Sequence, residues 1–211
     1  MPVRKPRPRD SLASRQALLD AGAVLFAQNG YRGTTLDALA DRSGLNKAMV
    51  AYYFKSKSGL YQAVLDQGIG AVLSNVEAAD IESLPFEARL TAFARAIASG
   101  FNNAPFLPGM LVQDYLAGDQ GQRPEAFASL ARMFQTTRAI LERGQIEGKV
   151  RAVDPHMLHL SLVGSLVFFG LTKRFRDNLE REGRLPMSNP DMDEYATFLG
   201  DMLGAGLRPK A

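Results

Sequence analysis

The chain has 211 residues, 46% hydrophobic and 22% charged, a globular composition that excludes a disordered or fibrous protein. It has no cysteine, which excludes a disulfide framework, a thiolate metal site and a cysteine nucleophile, and the cytoplasm is the expected compartment. The net charge of +3 is uneven: residues 1–60 carry 10 basic and 4 acidic side chains and residues 61–211 carry 15 and 18, so a basic head precedes a mildly acidic body. Such a head fits a polyanionic partner, either nucleic acid or an anionic membrane surface.

Residues 1–10, MPVRKPRPRD, are basic and proline-rich with no apolar segment after them, and read as a disordered arm rather than a secretory signal. Residues 11–28 place Leu18, Ala21, Gly22, Leu25 and Phe26 on one helical face, and Asn29-Gly30 supplies a stop. A short second helix follows, capped by Thr34 or Thr35, with Asp37 in capping-box register to Thr34 and Leu36, Leu39 and Ala40 inside. Gly44 suits the left-handed end of that helix, and Asn46 is a strong N-cap for the next. Leu45 and Val50 have the spacing of a hydrophobic staple. Two helices joined by this tight glycine turn make a helix-turn-helix pattern.

Ser58 is the expected cap of a longer helix carrying Leu60, Tyr61, Val64, Leu65, Ile69, Val72 and Leu73. Helical stretches over residues 86–149 are broken at 102–108 and 118–124. Asp154-Pro155 opens a helix expected to run to about Arg181, apolar nearly all round and so buried on two sides. Its apolar run, from Met157 to Leu171, is shorter than the ~20 residues of a membrane span. Asn189-Pro190 starts a last helix with a stripe of Tyr195, Phe198, Leu199, Met202 and Leu203. The expectation is an all-α fold without strand or repeat, divided into an arm (1–10), a helix-turn-helix domain (11–57) and a helical effector-binding and dimerisation domain (58–208).

The third helix carries the chemistry. Val50 and Phe54 face inward with Tyr53 beside them, and the other side presents Lys47, Ala48, Ala51, Tyr52 and Lys55. Ala48 and Ala51 permit close approach to base edges, Lys47 can reach guanine acceptors, and Met49 adds an apolar contact or rests on the domain. Tyr52, Tyr53, Lys55 and Lys57 suit phosphates, as do the backbone amides at the helix starts near Thr35 and Asn46.

The run YRGTTLDALADRSGLNKAMVAYYFKSKSGL, residues 31–60, resembles the DNA-binding domain of the TetR family of bacterial transcriptional regulators. The matching features are its Thr-Thr helix start, Ala38, Leu39 and Ala40 before Gly44, and Tyr-Phe-Lys-Ser-Lys ending at Lys57. The resemblance implies a homodimer on a palindromic operator, usually a repressor, released when a small molecule enters the body. It implies phosphate contacts at Thr35, Tyr52, Tyr53 and Lys57 and base reading at Lys47, Ala48 and Met49. Ala51 departs from the tyrosine frequent in the family, so one backbone contact falls to the basic arm.

A single recognition helix covers few base pairs, so a second copy is needed about one duplex turn, ~34–36 Å, away. Helices near 155–181 and 190–204 are the expected dimer elements, with Ser161, Gly164, Ser165 and Gly170 allowing close approach. For an unknown small-molecule effector, Phe93, Phe101, Phe106, Met110, Tyr115, Phe127, Phe134 and Phe169 are candidates to line a cavity, Pro105 and Pro108 its mouth, and Gln113 or Asp114 its polar selectivity. His156 and His159, three apart, lack a nearby carboxylate to complete a ligand set, so neither a metal, a cofactor nor an enzyme activity is expected.

Overall fold

The structure, a computed structural model, describes residues 8–117, 124–184 and 188–209. All regular structure among them is helical. Helix α1 spans Pro8–Gly33, α2 Leu36–Ser43, α3 Ala48–Phe54 and α4 Lys57–Ala78. The first helix begins three residues before the expected start, so positions 8–10 are helical rather than part of an arm; residues 1–7 lie outside the described residues. The expected stop is real: Gly30, at φ 70°, is the non-helical point within α1.

Caps settle the ambiguities the pattern leaves. Thr35, not Thr34, caps α2 by accepting from Ala38 N at 3.1 Å. Thr34 is fully buried and donates to the Gly30 and Leu25 carbonyls, so the expected capping box with Asp37 does not form. Gly44 ends α2 at φ 70°, and Asn46 Oδ1 then accepts from Ala48 N at 2.9 Å. Ser56 rather than Ser58 caps α4, accepting from Gly59 N at 3.0 Å. Lys55, in the left-handed region at φ 67°, turns the chain so that this can happen. The turn is tight enough to demand Gly59, because a Cβ there would stand 2.0 Å from the Phe54 carbonyl oxygen.

The rest comprises a short 3-10 helix (Ile81–Ser83), α5 (Phe86–Asn103), α6 (Leu107–Ala117), α7 (Pro124–Ile146), α8 (Pro155–His159), a π-turn (Leu160–Gly164), α9 (Ser165–Leu171), α10 (Lys173–Arg181) and α11 (Met192–Gly206). The expected single helix to Arg181 is therefore broken, and it bends by 48° between Leu171 and Lys173. Thr172 donates to the Phe168 carbonyl, and Arg176 inserts a guanidinium onto the Phe169 carbonyl and Thr172 Oγ1, which diverts the backbone ladder. Asp191 caps α11 through a capping box with Glu194; Asn189, expected at the start, bonds Arg176, Asp177 and Glu180 instead.

One apolar core runs through the chain. It joins Leu18, Phe26, Leu39, Val50 and Phe54 to Leu60, Tyr61 and Val64 of α4, and continues through Phe93 and Ile97 of α5 to Leu162, Leu166 and Leu199. Helix α5 packs mainly on α4 and α11, and α1 packs on α2, α4 and α6. Both α5 crossings depend on absent side chains: a Cβ at Gly100 would lie 2.6 Å from Val72 Cα, and one at Gly200 2.4 Å from Thr91 Cα. Among the described residues no single helix is long and apolar enough to cross a membrane.

Candidate nucleic-acid interface

Helix α3 divides its residues cleanly. Val50 and Phe54 are buried, Leu45 and Met49 pack partly against the same core, and Arg15 of α1 lies 5.1 Å over the Phe54 ring. The opposite face leaves Asn46, Lys47, Ala48, Ala51, Tyr52 and Lys55 exposed, with Tyr52 at 61%. Thr35 is also exposed, at the start of α2.

Several of these groups are engaged in ways the sequence did not disclose. Lys47 Nζ lies 2.9 Å from Asp37 Oδ1, and this hydrogen bond and charge raise the Lys47 pKa above its ordinary value. The ion pair joins the first turn of α2 to the start of α3 across the turn, on the open surface. Lys57, expected at a phosphate, is half-buried: its ammonium donates to the Tyr31 and Thr34 carbonyls at 2.9 and 2.8 Å and sits 4.5 Å over the Tyr31 ring. It ties the end of α1 and the entry to α2 to the first turn of α4. Tyr53, also expected at a phosphate, turns its hydroxyl inward, where it is buried with no hydrogen-bond partner among the described residues. Its ring meets Tyr52 edge-to-face at 4.9 Å, propping the tyrosine that does face outward.

The expected effector residues do not assemble into one cavity. Phe101, Phe106 and Phe169 line an open cleft of about 590 Å³, and Pro105 and Pro108 are part of its wall. Phe93 and Met110 are fully buried in the core, and Tyr115 is 57% exposed. Phe134 packs on His156 and His159. The Phe127 side chain lies outside the described residues. Gln113 and Asp114, expected as selectivity groups, are structural: Gln113 Nε2 donates to the Ala27 carbonyl at 3.0 Å, and Tyr61 Oη donates to Asp114 Oδ1 at 2.7 Å. The cleft's charged wall, Lys173, Arg174 and Arg176, escaped the sequence reading. Its signal in the sequence is the basic stretch KRFR, residues 173–176, which follows the apolar run. His159 Nδ1 meets Thr137 Oγ1 at 2.9 Å, and burial followed by the neighbouring His156 pushes its pKa down. Among the described residues no three His, Asp or Glu side chains group to hold a metal ion.

A helix with an apolar back and a small, cationic front, set by a glycine turn against a capped neighbour, marks a helix-turn-helix DNA-binding protein. Residues 18–64 match the family model described as bacterial regulatory proteins, tetR family. The HTH-type transcriptional regulator RutR of Escherichia coli (strain K12) is 28% identical over 152 residues, covering 72% of this chain and 71% of the relative. The HTH-type transcriptional repressor ComR of the same organism is 28% identical over 187 residues, 85% of this chain and 88% of the relative. The structure of the TetR family regulator PfmR from Thermus thermophilus superposes with a TM-score of 0.72 at 22% identity, covering 99% of this chain and all of that one. Residues 18–64 thus carry the DNA-binding domain of the tetR family of bacterial regulatory proteins, and the relatives and the fold support a TetR family regulator.

Proposed function

We propose that the chain is a repressor that binds an inverted-repeat operator as a homodimer and leaves it when a small molecule occupies the body. The carrying observation is the two-sidedness of α3: Lys47, Ala48 and Tyr52 stand exposed while Val50 and Phe54 hold the helix from behind. In this reading Lys47, Ala48 and Met49 meet base edges, and Tyr52, Thr35 and the amides beside Asn46 meet phosphates. Tyr53 and Lys57 orient these elements from within. The basic N-terminal arm adds a contact that Ala51 cannot make. The DNA-binding unit then ends at about Lys57 and the body occupies 58–208. The chain has no catalytic role and works in the cytoplasm.

Dimerisation is supported by an uncovered apolar stripe. Met157, Leu160, Phe168, Leu171 and Phe175 recur at helical spacing and are all exposed, and Phe198 and Met202 of α11 are exposed as well. Ser161 and Gly164 lie exposed between them, and a Cβ on Gly164 would meet nothing within 4 Å, which leaves room for a second backbone. Two copies joined along α8–α9 and α11 would form a four-helix interface. Binding selection from random duplexes tests the reading: an inverted-repeat consensus is expected, and Phe168→Glu should convert the dimer to a monomer by light scattering and abolish that selection. Recovery of no consensus, or a dimer mass unchanged by the substitution, counts against it.

A further inference from the structure

The cleft of about 590 Å³ lies among α1, the α5–α6 connection, α9, α10 and the segment before α11, and its volume is within the range of small-molecule sites. Its chemistry is divided. Phe101, Phe106, Pro108 and Met192 make one wall apolar, and Lys173, Arg174 and Arg176 make the other cationic. The two carboxylates lining it are already occupied. Asp177 accepts from Lys173 at 2.6 Å and from Asn189 at 3.2 Å, and Asp191 accepts from Glu194 N at 2.8 Å as the cap of α11.

Arg176 makes no direct bond to a carboxylate among the described residues, although the Asp177 charge acts on it. Its guanidinium lies 3.6 Å over the Phe169 ring, which stacks in turn on Tyr195. Nε donates to Asn189 Oδ1 and Nη1 to the Phe169 carbonyl and Thr172 Oγ1, all neutral acceptors, and Nη2 has no partner among the described residues. Burial lowers its pKa against the opposing pull of the nearby Asp177 carboxylate. Arg174, exposed in the same wall, likewise has no carboxylate partner among the described residues. A purely structural role, bracing Asn189 and the bend at Thr172, accounts for Nε and Nη1 but not for Nη2 or Arg174.

We propose that this cleft binds an organic carboxylate, its anionic end at Arg174 and Arg176 and its apolar part against Phe101, Phe106 and Pro108. The location gives occupancy a route to the DNA-binding helices. Ala27 and Gln28 of α1 form part of the lining, and the Ala27 carbonyl is held by Gln113 of α6. Gly109 of α6 faces the same residue, and a Cβ there would sit in ordinary van der Waals contact, 3.7 Å from the Ala27 oxygen. A molecule seated between Ala27 and Pro108 presses on that joint. The site stands on its own chemistry; its use as the release signal rests on the regulator reading above.

Calorimetric titration of the full-length protein without DNA isolates the site. The probes are 2-naphthoate and decanoate, each beside its uncharged counterpart, 2-naphthol and decan-1-ol. At least one carboxylate should bind about tenfold or more tightly than its counterpart, and Arg176→Gln should weaken it by a similar factor. Arg174→Gln, at a solvent-exposed position, should also weaken it while leaving the melting temperature unchanged. Equal affinity for acid and alcohol, indifference to both substitutions, or no binding of either carboxylate overturns the site. Anisotropy of a labelled operator complex then separates the two claims: a carboxylate that fills the cleft but leaves the complex intact upholds the site and refutes only its role in release.

Discussion

Replacing Lys57 with methionine keeps most of the stem and removes the ammonium. Two backbone carbonyls, 2.9 and 2.8 Å from Nζ, then lose a charged donor, and the Tyr31 ring loses a cation at 4.5 Å. Hydrogen bonds to charged groups contribute ~1.5–3 kcal/mol each and a partly desolvated cation–π contact ~1 kcal/mol, offset by the cost of desolvating the ammonium. A net loss of about 2–4 kcal/mol follows. For a chain of this size that corresponds to roughly 5–15 °C in melting temperature. Circular dichroism melts without DNA should show this loss, and it should persist in high salt because the bonds are half-buried and local. Operator affinity should fall with little change in the slope of log affinity against log salt, since no phosphate contact is lost. An unchanged melt with a slope shallower by about one would assign Lys57 to a phosphate and refute the positioning role.

Asp37→Asn releases Lys47 and removes a negative charge from the DNA-facing surface, so affinity for random duplex should rise and its salt slope steepen by about one, with the melt unaltered because the pair is exposed. Gly59→Ala forces a Cβ to within 2.0 Å of the Phe54 carbonyl oxygen and should cost about 2 kcal/mol or more, read as a lower denaturant midpoint. Because burial depresses the His159 pKa, the unfolded chain takes up that proton first on acidification; the stability from neutral His159 is complete above the unfolded value near ~6.5 and is lost as pH falls toward the lower folded one. Melting temperatures at pH 7 and below should decline accordingly, and His159→Gln should flatten that decline.

What the sequence made legible was mostly local. Gly44, Asn46 and Asp154-Pro155 act on groups within a few residues of themselves, and all three terminate or start helices as expected. Thr34 and Thr35 have the same side-chain chemistry, and the Gly30 and Leu25 carbonyls, four and nine positions before Thr34, take its hydroxyl inward and leave Thr35 as the cap. Lys57 is the sharper case. Its type suits a phosphate, but the carbonyls that take its ammonium lie 26 and 23 residues earlier in the chain. Phe93 and Phe101, both candidates to line a cavity, share one side chain and one helix, and only the packing shows that the first meets core and the second borders a cleft. The charged wall was hidden for the same reason, because Arg176 and Asn189 meet only after the bend at Thr172.

That bend and the cleft bear on how the two ends of the molecule communicate. Gln113 and Asp114 are neighbours on α6 yet hold different helices, Gln113 the Ala27 carbonyl of α1 and Asp114 the Tyr61 hydroxyl of α4. Tyr61 packs edge-to-face on Phe26 and Tyr31, and the Tyr31 carbonyl is one of the two that Lys57 binds. Helix α6 therefore grips α1 within the DNA-binding unit and α4 close to its start, just after that unit ends. Bonds of 2.7 and 3.0 Å do not stretch by much more than half an ångström before they fail. A close-packed aromatic cluster does not deform smoothly either, so a shift of α6 must break one grip or carry α1 and α4 with it. A ligand in the proposed site would act as a wedge at Ala27 and Pro108, on the α1 side of that choice, and would by this route change where the recognition helix points.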